Sequence, residues 1–218
     1  MNELSFIRKN LRSRRRALTQ FEQKQAQLNV LHYLNHLPIF HSSKKIGLYL
    51  HAFGEIHTDL LIKLCFKKNK QVYLPMICSM NQRLVWVKIN KNQYLSRRFS
   101  HHPLGMKEPM ATRGKHVSEL DLLLMPLLAC DHYGTRIGMG GGYYDRTLAS
   151  AKYKPYRLGL AHQFQFIEHT LERQSWDQPL DGLLTPQHFY YFKDDFYIKF
   201  IKSPIYSFTF FSSLKTKK

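Results

Sequence analysis

Four glycines stand within five positions, Gly138, Gly140, Gly141 and Gly142, interrupted only by Met139, in the segment RIGMGGGYYDR at residues 136 to 146. Glycine lets a backbone come close to a ligand and adopt left-handed conformations. Set after an apolar run and before a helix, such a loop aims backbone N–H groups at an anion, most often phosphate. Neither nucleotide fingerprint fits: Tyr143 takes the place of the final glycine of GxGxxG, and no GK[ST] ending follows. By its own chemistry the loop is a phosphate cradle or a tight, closely packed turn. Asp145, just past it, reads alone as a helix-start carboxylate, and Asp177 as a turn aspartate before a proline.

Other charged groups are spaced for use. Arg12 and Arg15 lie four and seven residues beyond Arg8, on nearly the same helical face. A charge-assisted bond from each to a phosphate would be worth about 1.5–3 kcal/mol, and the same face also suits a solvated basic surface or an RNA-binding arm. The second reading is preferred for Arg14 and Arg16. Glu55 follows an apolar run that ends at Leu50 and by itself reads as a cap for the next helix. His101 and His102 are assigned to solvent, because adjacent residues point apart, and Trp86 and Trp176 to the core, with a place at the border of a site as the alternative for Trp176 beside Asp177.

The elements that position these groups follow from hydrophobic periodicity. Leu4, Ile7, Leu11 and Leu18 recur at helical spacing, which predicts one long helix over 4 to 36, ended by Pro38. Strands are predicted at 46 to 50, 72 to 77, 84 to 89, 156 to 161 and 181 to 185, with helices near 58 to 68, 143 to 151 and 163 to 173. Residues 91 to 118 have no clear period and are read as a long loop over a site. The segment DLLLMPLLA at 121 to 129 reads as a central strand buried on both faces, with a local break at Pro126. Strands alternating with helices argue a single three-layer α/β/α domain with a mainly parallel sheet over 1–192. Residues 193–218, with seven aromatics and six lysines, read as a separate extension, amphipathic or hairpin-like.

At 218 residues and 44% hydrophobic the chain can bury about 70% of its unfolded surface, which excludes global disorder. No run approaches the roughly 18–20 apolar residues of a membrane helix, and the first 16 residues have no apolar signal core. A net charge of +18 attracts polyanions of any kind. Cys65, Cys78 and Cys130 form no CxxC pair and no even set, which suits a reducing cytoplasm.

RIGMGGGYYDR resembles the signature of the 5-formyltetrahydrofolate cyclo-ligase (methenyltetrahydrofolate synthetase) family. RRRALT at 14 to 19, GEIHT at 54 to 58, VYLP at 72 to 75, GMKEP at 105 to 109 and WDQPLDGLLT at 176 to 185 agree with it in order, over roughly residues 4 to 190. The resemblance implies an ATP- and Mg2+-dependent conversion of 5-formyltetrahydrofolate to 5,10-methenyltetrahydrofolate with release of ADP and phosphate. ATP phosphorylates the formyl oxygen, the folate N10 attacks the activated carbon, and phosphate departs.

By the same resemblance Arg136 and Gly138 through Tyr144 fall on the nucleotide loop, with Arg136, Tyr143 and Tyr144 at the chemistry. Arg8 and Arg12 join them at the phosphates, Leu4 standing where some members carry lysine, and Arg15 is the alternative to Arg12. Asp145 and Asp177 fall on magnesium ligands, Asp181 being the substitute for Asp177. Leu50, Glu55 and Tyr143 fall on the folate side, where a carboxylate can accept the paired N–H groups of a pterin. A monomer acting on ATP and on folate, including polyglutamylated folate, is expected, without membrane or nucleic acid. Two other classes compete: a basic nucleic-acid binder using the arginine-rich helix, and a phosphosugar-binding α/β enzyme that does not use ATP.

Overall fold

A computed structural model describes residues 3–192; residues 1–2 and the predicted extension at 193–218 lie outside the described residues. The N-terminal helical stretch is two helices rather than one, α1 (Glu3–Ala17) and α2 (Gln20–His36). The break is chemical. Thr19 Oγ1 accepts from the Glu22 N–H at 3.2 Å while Glu22 Oε2 accepts from the Thr19 N–H at 2.7 Å. This reciprocal T-x-x-E box starts a new helix where the apolar spacing alone suggests continuation. Pro38 then opens a short α3 (Pro38–Ser42), in which its missing N–H costs nothing.

Beyond it come β1 (Lys45–Gly47), α4 (Asp59–Lys67), β2 (Gln71–Cys78), β3 (Arg83–Ile89), α5 (Lys91–Leu95), the hairpin β4 (Phe99–His101) and β5 (Lys107–Pro109), and β6 (Leu122–Pro126). The chain closes with the ribbon β7 (Ala129–Cys130) and β8 (Arg136–Ile137), then α6 (Tyr143–Leu148), β9 (Tyr156–Leu160), β10 (Gly182–Leu184) and β11 (Phe189–Tyr191). Seven strands form one sheet in the order β11-β10-β9-β6-β1-β2-β3. The inner pairs are parallel, and the edge strands β3 and β11 run antiparallel to their neighbours. The fold is therefore α/β with a mostly parallel sheet, as the alternation of elements predicts.

β6 is the middle strand, and its run of apolar residues is explained by burial on both faces. Leu122 and Leu124 join one core with α2, α3 and α4, through Val30, Phe40 and Leu61. Leu123 and Met125 join the other, with Trp86, Val117 and Leu148. That second face is covered by α6, a 3-10 turn at Val117–Glu119 and connecting segments, a thinner layer than the helical one opposite. Pro126 closes β6, where the break is expected.

Two further expectations fail, one for a local reason and one for a long-range one. The stretch from 91 to 118 is not a plain loop: an Asn90–Gln93 capping box starts α5, and the β4–β5 hairpin follows. The helix expected at 163 to 173 is only a 3-10 turn, Gln163–Gln165. There the Ile167 N–H donates to the Cys130 carbonyl at 2.9 Å and draws the backbone into an extended bridge. The three cysteines are free, Cys65 and Cys130 buried and Cys78 half-buried. No helix among the described residues is long and apolar enough to cross a membrane.

Candidate active site

In the sheet order the chain leaves β1 toward β2 on one side and returns at β6 on the other, so the strand order reverses between β1 and β6. Open α/β sheets bind ligands outside the carboxyl ends of the strands at such a point. A cleft of about 900 Å3 lies there, lined by Leu50 beyond β1, Ile77 near the end of β2 and Leu127 beyond β6.

The glycine loop reaches this cleft through the β7–β8 ribbon. Asp131 fixes the ribbon's turn, its buried carboxylate accepting from the N–H groups of Tyr133, Thr135 and Leu171 at 2.9, 2.8 and 3.0 Å. Helix α1 packs Leu4, Ile7 and Leu11 against Leu128, Ala129 and Ile137 of the ribbon, which turns its cationic side to the loop. Arg8 Nε accordingly donates to the Gly138 carbonyl at 3.3 Å. Gly140 and Gly142 hold φ of 103° and 65°, conformations open to glycine, and a side chain at Gly140 would meet nothing within 4 Å. The loop thus opens to space at Gly138 and Gly140, while Gly141 and Gly142 pack against the Tyr143 ring and the Arg146 guanidinium.

Arg136 and Asp145, at the two ends of the loop, pair at 2.5 Å, and the guanidinium also lies 5.7 Å from the Tyr144 ring centre. Asp145 Oδ1 accepts a second bond from the Gln178 N–H at 3.1 Å, which brings the segment with Asp177 beside it. Both aspartates line the cleft. Both hydrogen bonds of Asp145 fall on Oδ1, and Asp177 accepts from the Gln174 N–H through Oδ2. Two hard carboxylates at a phosphate loop fit a magnesium ion, which is usually held by one or two carboxylates with substrate phosphates. Asp181 lies elsewhere: it is buried and accepts from the Arg157 N–H at 2.8 Å in the sheet.

Glu55 lines the same cleft as the glycine loop. The loop after β1 turns sharply at Phe53 and Gly54, with φ of 51° and 77°, and packs against α1, where a side chain at Gly54 would strike the Arg15 carbonyl. Burial raises the Glu55 carboxyl to about 7, although the Ala52 N–H, bonded at 3.0 Å, and Arg15 both pull it down. Burial likewise raises the phenols of Tyr49 and Tyr144, and the nearby Glu55 charge adds to both shifts. Tyr144 therefore stays a neutral hydroxyl close to Glu55.

Arg15 links Glu55 to the glycine loop and is 1% exposed. Its Nη1 lies 3.8 Å from Glu55 Oε1 and donates to the Leu127 carbonyl at 3.2 Å, and its Nη2 contacts the Met139 sulfur at 3.8 Å. The arginine face of α1 thus divides by depth. Arg8 and Arg15 line the cleft, whereas Arg12 does not, and Arg12 Nε is buried without a hydrogen-bond partner. Tyr143 lines the cleft with its ring against Gly141 and the Arg146 guanidinium 5.1 Å away. Leu50, Met139, Gly141 and Gly142 line it too.

Sequence reasoning missed several wall residues. Glu108 of the hairpin ties it to β2 by accepting from the Ile77 N–H at 3.2 Å, and Lys107 and Arg83 also line the cleft. Trp176 is not core but 65% exposed at the rim, which is the alternative its place beside Asp177 offers, while Trp86 is fully buried as expected.

Fold and site together define an α/β enzyme whose cleft joins a phosphate-type loop to a buried acid. The sequence model of the 5-formyltetrahydrofolate cyclo-ligase family matches residues 1–186. The 5-formyltetrahydrofolate cyclo-ligase of Haemophilus influenzae is 35% identical over 182 residues, 82% of this chain and 95% of the relative. That of Escherichia coli K12 is 34% identical, over 81% and 96% of the two chains. The solved structure of Aquifex aeolicus 5,10-methenyltetrahydrofolate synthetase superposes with a TM-score of 0.75 at 28% identity, covering 88% of this chain and 94% of that one. The chain belongs to the 5-formyltetrahydrofolate cyclo-ligase family. Membership in a ligase family favours the enzyme reading over the nucleic-acid and phosphosugar alternatives.

Proposed function

We propose that the chain converts 5-formyltetrahydrofolate to 5,10-methenyltetrahydrofolate with ATP at this cleft, releasing ADP and phosphate. The observation that supports the reading is that two unlike groups of residues line one cleft. A glycine backbone open at Gly140 suits a triphosphate, and a buried carboxyl suits the N–H pair of a pterin, with Arg15 contacting both Glu55 and Met139 of the loop.

A formyl oxygen on nitrogen is a poor leaving group, so the reaction needs positioning and charge neutralisation while a phosphoryl group moves onto it. Backbone N–H groups of residues 138–142 and the Arg8 guanidinium hold the phosphates. Arg136 lies at the loop's base and offsets charge on the transferring group, exchanging part of its contact with Asp145 for phosphate oxygens. Asp145 and Asp177 would hold Mg2+, which supplies neutralisation of phosphate charge. Glu55 binds the pterin edge as a carboxylate, so folate binding favours its ionised form over the protonated one that burial promotes. Tyr144, a neutral phenol, donates toward the formyl group, and Tyr143 walls the ring.

Once the oxygen is phosphorylated, N10 attacks the formyl carbon, the carbon–oxygen bond breaks and phosphate leaves, taking up the proton that N10 gives up. The enzyme works as a cytoplasmic monomer, and its +18 charge draws in ATP and the glutamate tail of folate, polyglutamylated forms included. ADP release should require 5-formyltetrahydrofolate and be indifferent to added RNA or DNA. ADP release stimulated by nucleic acid without folate would overturn the reading.

A further inference from the structure

Two histidines and an aspartate that the substrate site leaves unused gather at the ends of the loop that carries Glu55. His51, His57 and Asp59 each offer one ligand atom, and the three atoms lie within 4.8 Å of one another. His51 Nε2 stands 3.6 Å from Asp59 Oδ2, and the His51 and His57 rings stack with centres 4.0 Å apart. We propose that His51, His57 and Asp59 form a second cation site, distinct from the Asp145 and Asp177 pair, that takes a transition-metal ion of the zinc class.

The donor set decides the class. Two imidazole nitrogens and one carboxylate oxygen suit Zn2+, whereas Mg2+ asks for oxygen ligands. Tetrahedral zinc with bonds of about 2.0–2.2 Å holds its ligand atoms roughly 3.3–3.5 Å apart, so His51 and Asp59 already stand near bonding separation; His57 must both close and turn out of its stack with His51, because an imidazole lone pair lies in the plane of its ring. Asp59 is oriented from outside: Oδ1 accepts from the Tyr94 hydroxyl at 2.7 Å while Oδ2 faces His51. Such outer contacts are what aim a metal carboxylate.

The local charges are mixed: Lys107 opposes a cation here and Asp59 offsets it. The Thr58 N–H donates to His51 Nδ1 at 3.4 Å, which puts the ring proton on Nε2 in the metal-free tautomer. Binding moves that proton to Nδ1 and gives up this long bond. The sharp turn at Phe53 and Gly54 brings residues 51 and 57 together, so a bound ion ties the two ends of the loop whose middle presents Glu55. The ion would order the folate wall without touching either substrate.

The test is Co2+ titration of tag-free, chelator-stripped protein, read by the visible absorption of bound cobalt, with Zn2+ as competitor. One equivalent should bind, Zn2+ should displace it, and Zn2+ but not Mg2+ should raise the melting temperature. His57→Gln and His51→Asn should each weaken binding at least tenfold, with circular dichroism verifying their fold; both side chains are only half-buried, and two positions keep the test open if one variant misfolds. Asp145→Asn should bind unchanged. So should His32→Ala, which removes the competing pair that His32 makes with His36 one helical turn away, ring centres 4.6 Å apart. No bound equivalent, or equal binding by His57→Gln, His51→Asn and the unmutated chain, would overturn the proposal.

Discussion

Replacing Glu55 by glutamine should stabilise the substrate-free protein progressively as pH rises while weakening its grip on folate. Burial raises this carboxyl from its ordinary 4.5 to about 7. Its charged form is therefore disfavoured by folding, a penalty that is absent well below pH 4.5 and complete above about pH 7. At ~1.36 kcal/mol per pH unit the penalty is about 3 kcal/mol. Glutamine keeps the shape and can still accept the Ala52 N–H, but it does not titrate. The attraction to Arg15 at 3.8 Å that it gives up exists only when Glu55 is ionised, and is already contained in the value of about 7. The decisive quantity is therefore the change with pH: the stability of Glu55→Gln minus that of the unmutated chain should grow by about 3 kcal/mol between pH 4.5 and pH 8. Urea unfolding of both chains in chelator-containing buffer measures it. Steady-state kinetics at pH 8 should show the folate KM raised about 10- to 100-fold, the worth of a charged hydrogen bond, with the ATP KM within about twofold. A stability difference that stays flat with pH, or a larger rise in the ATP KM, would refute the placement of Glu55 as the buried acid of the folate wall.

Three other outcomes follow from named contacts. Asp145→Ala should lower turnover and also cost about 3 kcal/mol of stability, because it strands the nearly buried Arg136 guanidinium, whereas Asp145→Asn should keep most of the fold and lose at least ~100-fold in kcat; a fully active Asn variant at limiting Mg2+ removes this aspartate from the mechanism. His162, whose Nε2 contacts the Gly54 carbonyl at 3.1 Å, is lowered to about 4 by burial, so its contribution is full above pH 7 and falls by about 3 kcal/mol toward pH 4 as the unfolded chain takes up the proton. Glu55 shifts stability the opposite way over the same range, so the His162 loss should be visible in Glu55→Gln and flattened by adding His162→Gln. A chain ending at Phe192 should keep its turnover, since every residue given a role lies upstream and the removed segment carries only +4 of the +18 charge (six lysines less two aspartates); melting temperatures separate lost chemistry from unfolding.

The central strand, the glycine loop and the acid after β1 were legible in the sequence because each is a local signal: an apolar run, a cluster of left-handed-capable residues, a charge at a strand end. The split between α1 and α2 was legible too, in Thr19 and Glu22, but the apolar spacing on either side outweighed a two-residue cap. The missing helix at 163 to 173 was not, because the bridge to Cys130 that extends the backbone is set by a residue more than thirty positions away. Helical spacing put Arg8, Arg12 and Arg15 on one face without saying how deep each would lie. The depth is set by where α1 rests on the β7–β8 ribbon, and that contact puts Arg15 against Glu55 and leaves Arg12 out of the cleft. The metal-type cluster depends on two histidines six residues apart meeting across a sharp turn, a proximity that the sequence spacing does not reveal.

The most direct test follows methenyl absorbance and ADP together after purified protein is mixed with MgATP and 5-formyltetrahydrofolate. The account predicts one methenyl product per ADP released, and neither in the absence of the other substrate. ADP formed at the same rate without 5-formyltetrahydrofolate, or folate and ATP bound together with no methenyl product, would contradict it.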